Sequence, residues 1–445
     1  MTNLITKEEL LNFKKNYNSI EKNQIAQNAV FENGIMNSAK NVSSLVKNTH
    51  QYSIDVKTGD ITNQKQSGRC WMFAALNVMR LEIMDKLNLE TFELSQAYPF
   101  FFDKLEKSNN LIENIIETID LDLDSREVAF LLSDPLGDGG QWDMFASLID
   151  KYGVIPKTQM PESFSSSQSR YMNKLLTTKL REFACILREN YSKNKDINKL
   201  RELKDEMLDT IYRMLSICLG EPPTSFTFET RNKDNKFIRD VDIKPIQFYN
   251  KYVDMKMRDY VSIINAPTKD KPYNNTYTVK FLGNVQGGYP VKYLNLPINE
   301  LKELAIKQLK DGKAVWFGSD VGQSSNKETG IMDLDIYNFD NLFDTKFSLT
   351  KAQRLDYGES LMTHAMVIAG VNIDDNNNPT NWKVENSWGD KHGKKGHFVM
   401  SDSWFNEFTY QIVINKKYLS KEQEKHLLKD PIVLKPWDPM GALAL

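Results

Sequence analysis

Between Cys70 and Leu87 the apolar positions Trp71, Phe73, Ala74, Ala75, Val78, Met79, Leu81 and Met84 fall on nearly every side of a 3.6-residue helix. A helix that is apolar all round is one buried in the middle of a large domain. The run before it, Asn63-Gln64-Lys65-Gln66-Ser67-Gly68-Arg69, is polar and contains glycine, so the chain is expected to pass from loop to buried helix at Cys70. Upstream, Thr6-Lys7-Glu8-Glu9 has the spacing of a capping box and predicts a charged helix start. Downstream, the pattern predicts helices over residues 94–102 and 110–132, and a further helix that Gly153 ends. Residues 163–169 are serine-rich and read as a hinge into an inserted segment, which is strongly helical over 170–219.

After Pro222-Pro223 the pattern changes to the period of strands, beginning with Phe226-Thr227-Phe228-Glu229. Residues 301–309 read as an amphipathic helix and 314–318 as a short buried strand. Residues 363–371, Thr-His-Ala-Met-Val-Ile-Ala-Gly-Val, read as a buried strand, followed by the turn run Asp374 to Pro379 and a second strand ending in Asn386-Ser387-Trp388-Gly389. A hairpin centred on Asp375 would set His364 opposite Asn386, and opposed residues have Cβ atoms about 4.5–5.5 Å apart. An amide oxygen there can accept the imidazole N–H.

Composition narrows the class. A chain of 445 residues with 40% hydrophobic and 26% charged residues is that of a globular protein with a sizeable core. The net charge of -2 gives no field to attract nucleic acid or an anionic membrane, and no apolar run approaches the ~20 residues of a spanning helix. No basic-then-apolar leader opens the sequence. Three cysteines, Cys70, Cys185 and Cys218, make neither a disulfide framework nor a metal-ligand spacing, which points to a reducing cytoplasmic compartment. Cys185 and Cys218 read as packing residues within the helical stretch.

Cys70 differs from them by its position. At a helix start the unpaired N–H groups and the dipole place about half a positive charge beside the sulfur, an environment that lowers a thiol pKa. Asp138-Gly139-Gly140-Gln141-Trp142-Asp143 adds a Gly-Gly pair, where a second backbone can come close.

Together, Gln64, Cys70-Trp71, Thr363-His364-Ala365 and Asn386-Ser387-Trp388-Gly389 resemble the papain-like cysteine peptidases. The Asp138–Asp143 run and the tail Pro436-Trp437-Asp438-Pro439-Met440-Gly441-Ala442-Leu443-Ala444 resemble the branch of bleomycin hydrolase and bacterial aminopeptidase C. Two departures from the secreted papain pattern stand out: Ser67 replaces the cysteine three before the nucleophile, and His364 lies far beyond the usual ~130–150 residue interval. The extra material is expected as insertions into one body spanning 1–445: a helical one at 160–222 and a mixed β one at 223–297, the candidate oligomer-contact arm.

The resemblance implies an α+β, two-lobe papain-like fold and an intracellular thiol aminopeptidase without a cofactor. It implies Cys70 as nucleophile, His364 as base, Asn386 as its orienter, Gln64 as oxyanion donor and Trp388 as a cover over the His–Asn bond. Gly139 and Gly140 are expected to pair with extended substrate, and the 436–445 arm to lie in the cleft with Ala444 or Leu445 near the substrate's α-ammonium. Peptide substrates, bleomycin-like amide hydrolysis and a homohexamer are further implications, with no nucleic-acid or membrane partner. The alternative of the same chemistry is an endopeptidase or oligopeptidase. A non-catalytic or nucleic-acid-binding assembly is disfavoured by the intact residue set and by the charge.

Overall fold

The buried helix runs from Cys70 to Leu87 in the computed structural model, which describes residues 4–443. Every residue from Cys70 to Arg80 is buried, as its all-round apolar pattern requires. It ends at Asn88, which takes a left-handed conformation (φ 53°) of the kind that closes helices. It packs on one face of the strands His364–Ile373 and Val315–Ser319.

Those strands lie at the centre of a 12-stranded sheet. From one edge the order is Ile432–Leu434, Asn275–Val279, Tyr293–Asn295, Tyr260–Ile264, Thr409–Asn415, Val315–Ser319, His364–Ile373, Pro379–Glu385, His397–Ser401, Ile331–Met332 and Ser325–Asn326, with Ile54–Asp55 also pairing His364–Ile373. The helices Ala97–Glu117, Arg126–Ser133, Trp142–Tyr152, Arg170–Asn194 and Ile197–Leu219 pack on one another, and Trp142–Tyr152 reaches the strand Tyr260–Ile264. The architecture is the α+β one expected.

Several local expectations change. The helices expected at 94–102 and 110–132 are one helix, Ala97–Glu117, and a second, Arg126–Ser133, capped by Ser125. The polar residues Asp103, Lys104, Lys107 and Ser108 break the apolar pattern in sequence, yet all four are buried with partners: Lys107 on Asp103, Lys104 on Asp138, and the Ser108 hydroxyl on the Lys104 carbonyl. The serine-rich run forms a short helix, Phe164–Ser167, in which Ser163 and Ser166 cap one another reciprocally. Cys185 is exposed, on the face of its helix opposite Leu180, Phe183 and Leu187, and its Sγ contacts Glu189 Oε1 at 3.4 Å; it is not a packing residue.

Residues 223–297 divide between two roles. The hairpin Phe226–Arg231 with Phe237–Ile243 is a separate two-stranded sheet, whereas three later strands belong to the main one. The Lys7–Asn18 helix, with the expected Thr6–Glu9 capping box, buries no residue. It and the following helix expose Leu10, Leu11, Phe13, Ile25 and Phe31. Among the described residues no helix is long and apolar enough to cross a membrane.

Candidate active site

The loop before Cys70 is held by a buried arginine. Arg69 makes two bonds to Glu162, at 3.1 and 2.6 Å, and its Nε donates to the Ser67 hydroxyl at 2.9 Å. Its guanidinium also lies over Phe73 and Phe100. Cys70 follows as the first helical residue, with no exposure. Its Sγ accepts the N–H of Ala365 at 3.4 Å, which sets the sulfur against the start of the strand that carries His364. The strand supplies one donor, the Ala365 N–H, and the helix start two more, the N–H groups of Trp71 and Cys70; all three favour a thiolate. Burial outweighs them and pushes the thiol up to about 12, with the Asp138 carboxylate acting in the same direction. Burial thus works against the lowering that the helix terminus favours.

His364 and Asn386 meet, though by a different route from the expected one. The ladder pairs Val367 with Glu385 and Ile368 with Val384, two positions out of the register that would oppose His364 to Asn386. A bulge between Ile368 and Gly370, and another near the turn, shift the strands. His364 pairs instead with Ser319 on its other side. The chain leaves the ladder at Asn386, and that side chain turns back so that its Oδ1 sits 2.9 Å from His364 Nε2. The same Oδ1 accepts the Ser387 N–H at 2.8 Å, so it is an acceptor and the imidazole proton belongs on Nε2. Burial pushes His364 down to about 4, against the Asn386 bond and with Lys327 adding to the depression. Trp388 lies over the ring at 4.8 Å and an interplanar angle of 31°; Lys327 sits on the Trp388 ring at 4.8 Å.

Gln64 is fixed at both ends of its amide. Nε2 donates to the Ser67 carbonyl at 2.7 Å, and Oε1 accepts the Ser387 hydroxyl at 2.6 Å. The Gln64 N–H also donates to the Ser387 carbonyl at 2.8 Å. These bonds orient the amide and occupy one of its two N–H hydrogens. Next to them, Gly389 has φ +80°, and a Cβ there would meet Asn63 Nδ2 at 2.6 Å. The loop and the hairpin thus interlock through Gln64, Ser387 and Gly389.

The glycine pair lies beside the residue after Cys70. A Cβ on Gly140 would come within 2.4 Å of the Trp71 ring, and Trp71 Nε1 donates to the Asp138 carbonyl at 2.9 Å. Lys107 Nζ donates to the Gly139 carbonyl at 2.6 Å. The tail approaches the same place. Arg126 covers the Trp437 ring at 3.7 Å, Lys271 pairs with Asp438 at 2.9 Å, and Gln141 Nε2 donates to the Ala442 carbonyl at 2.8 Å. Leu443 lines a pocket with Gly137, Leu111, Phe130, Met144 and Phe281. Ala444 and Leu445 lie outside the described residues.

Ser387, Gln141 and Asp138 are the site residues that sequence reasoning did not single out. Ser387 and Gln141 each stand inside a motif already noticed, next to Asn386 and Gly140. Their role shows only once folding brings distant segments together.

A family model described as the Peptidase C1-like family matches residues 4–441. The chain is similar to aminopeptidase C of Listeria monocytogenes, at 52% identity over 99% of both chains, and to aminopeptidase C of Streptococcus thermophilus, at 51% over 94% of both. Its fold superposes on the crystal structure of PepW from Lactobacillus rhamnosis with a TM-score of 0.98, at 53% identity and full coverage of both chains.

Proposed function

The chain belongs to the Peptidase C1-like family and is a cysteine-type aminopeptidase; we propose that it works through Cys70, His364 and Asn386, releasing amino-terminal residues by way of an acyl-enzyme. The observation that carries this reading is the convergence of three segments: Cys70 Sγ at 3.4 Å from the Ala365 amide, and His364 Nε2 at 2.9 Å from Asn386 Oδ1.

With Nε2 committed to Asn386, Nδ1 is the ring nitrogen left to take the thiol proton. Burial opposes each charge taken singly, so thiolate and imidazolium arise together, as the proton moves from sulfur to ring. Their attraction, about 4 kcal/mol at 4 Å and an effective dielectric constant near 20, offsets part of the desolvation. The sulfur then attacks the carbonyl carbon of the first peptide bond. Gln64 Nε2, with the Cys70 N–H, faces the developing oxyanion. Imidazolium protonates the departing amine, and neutral imidazole next takes a proton from water as it attacks the thioester. Trp388 keeps water from the His364–Asn386 bond.

The arm at 436–445 limits the cleft to substrates with a free amino terminus. Support comes from the Ala442 carbonyl on Gln141, adjacent to Gly139 and Gly140, which pair with the substrate backbone. Bleomycin-like amide hydrolysis, a cytoplasmic location and a homohexamer belong to the same proposal, and sedimentation analysis tests the last.

An aminoacyl chloromethyl ketone with a free amino group tests the nucleophile. Peptide mapping should find a single adduct on Cys70 in the wild type and none in His364→Ala. An adduct confined to the exposed Cys185 contradicts the assignment.

A further inference from the structure

Beside the cleft lies a cluster of buried charge that the mechanism above does not use. Asp138 is only 6% exposed, and its carboxylate is fully engaged. Oδ2 accepts the Gly68 N–H at 2.9 Å and the Ser169 hydroxyl; Oδ1 accepts Asn173 Nδ2 at 2.6 Å, and Lys104 Nζ lies 2.7 Å from it. Its backbone carbonyl holds Trp71. One residue therefore reaches the loop two positions before Cys70, the residue after Cys70, the Ala97–Glu117 helix and the start of the Arg170–Asn194 helix.

Lysine side chains brace the neighbouring turn. Lys104, with no exposure, also donates to the Gly137 carbonyl at 3.0 Å. Lys107, paired with Asp103 at 2.8 Å, donates to the Gly137 and Gly139 carbonyls at 3.1 and 2.6 Å. Buried ion pairs are often no more stabilising than well-packed apolar residues of similar volume, so stability alone is a poor reason for this cluster. Fixing backbone around the sulfur is a better one.

Taking Cys70 as the nucleophile, the reading on which this rests, we propose that the Lys104–Asp138 pair is a positioning device for the thiol. It locks the Gly68 amide to the Gly139–Gly140 turn and keeps the charge beside the sulfur balanced. The charged groups facing this pair are Asp103 and Lys107 from the Ala97–Glu117 helix, and Arg69 from the loop, which Glu162 neutralises. From the sheet, the Ala365 N–H, next to His364, meets the sulfur. Ser169 and Asn173 add donors without charge. Asp138 opposes a thiolate at Cys70, and the lysine 2.7 Å from its carboxylate limits that opposition, which grows once the lysine is removed.

The test uses the full-length chain with Cys185→Ser and Cys218→Ser, so that one thiol reports. The rate of Cys70 alkylation by iodoacetamide is followed against pH, alongside kcat and KM for a free-amino aminoacyl substrate. Lys104→Met strands the carboxylate, so the alkylation midpoint rises by about one pH unit and kcat falls; Lys104→Arg restores both. In Asp138→Asn the midpoint does not rise, although kcat falls as the Gly68 anchor weakens. A Lys104→Met midpoint at or below that of the wild type, or a rise in Asp138→Asn, overturns the proposal.

If Lys104→Met does not fold, Asn173→Ala carries the test, because it removes one donor and no charge. There kcat falls by up to about tenfold, the most that loss of a hydrogen bond of about 1.5 kcal/mol to a charged group implies, with KM little changed; an unchanged kcat overturns the proposal. Cys70→Ser separates the two levels. Turnover that survives in Cys70→Ser defeats the nucleophile assignment itself, whereas Cys70-dependent turnover with unmoved midpoints defeats only the role of the pair.

Discussion

Gln64 shows how a single side chain is held ready for the role proposed for it. With Oε1 on the Ser387 hydroxyl and one Nε2 hydrogen on the Ser67 carbonyl, it cannot rotate without breaking two buried bonds. Removing one oxyanion donor typically costs ~10²–10³ in rate, so Gln64→Ala should lower kcat by about that factor while the thiol still alkylates. Ser387→Ala should cost less, because it frees the amide without deleting it; steady-state kinetics on the two variants checks the order. Cys70, His364, Asn386 and Gln64 stood out in the sequence as candidates because each stands in a short motif. Ser387 was not, because its partner lies in the loop before Cys70 and no local pattern announces that contact. The ionisation of Cys70 was only half legible: the donors follow from the helix start, but the burial that outweighs them is a property of the closed cleft.

At the scale of elements, the helix and the hairpin are tied by Arg80 and Glu385, which pair at 2.9 Å with 1% exposure on each side. Glu385 directly precedes Asn386, so the pair fixes where the orienting side chain leaves its strand. Removing one partner of a buried pair typically costs ~3–5 kcal/mol, while apolar replacement of both is often neutral. Arg80→Met should therefore destabilise by about that amount, and Arg80→Met with Glu385→Leu should recover most of it in denaturant unfolding. A second prediction concerns Gly140. Gly140→Ala drives a methyl into the Trp71 ring, so the turn must move and KM should rise, with the Cys70 alkylation rate as the control. Element types were largely readable, as the Cys70–Leu87 helix and the 364–386 hairpin illustrate. Register and continuity were not. The bulges in the hairpin have no signature in the apolar pattern, and Ala97–Glu117 hides six buried polar residues, several of whose partners lie elsewhere in the chain.

Over the whole molecule, three buried or partly buried histidines respond to acid together. Burial lowers His364 and His397 to about 4 and also depresses His50. The unfolded chain binds these protons near the ordinary value of about 6.5, so it takes up more protons than the folded one between those limits. Stability is thus fully present above about pH 6.5 and is lost as pH falls towards about 4. Denaturant titration across that window should show the loss, with a shallower slope in His397→Gln. The tail acts at this scale as well. Its anchors at Arg126, Lys271 and Gln141 come from segments far apart in sequence, and deleting residues 441–445 should weaken cleavage of free-amino dipeptides and admit blocked substrates. Its motif was legible at once; its footholds needed the fold.

The central claim is that Cys70 performs the chemistry and that the cleft admits only substrates with a free amino terminus. Hydrolysis of matched free and N-acetylated aminoacyl fluorogenic substrates, under reductant, tests both parts when wild type and Cys70→Ala are compared. The account predicts turnover of the free substrate by the wild type alone and none of the acetylated one by either protein. Turnover by Cys70→Ala, or equal cleavage of both substrates by the wild type, would contradict it.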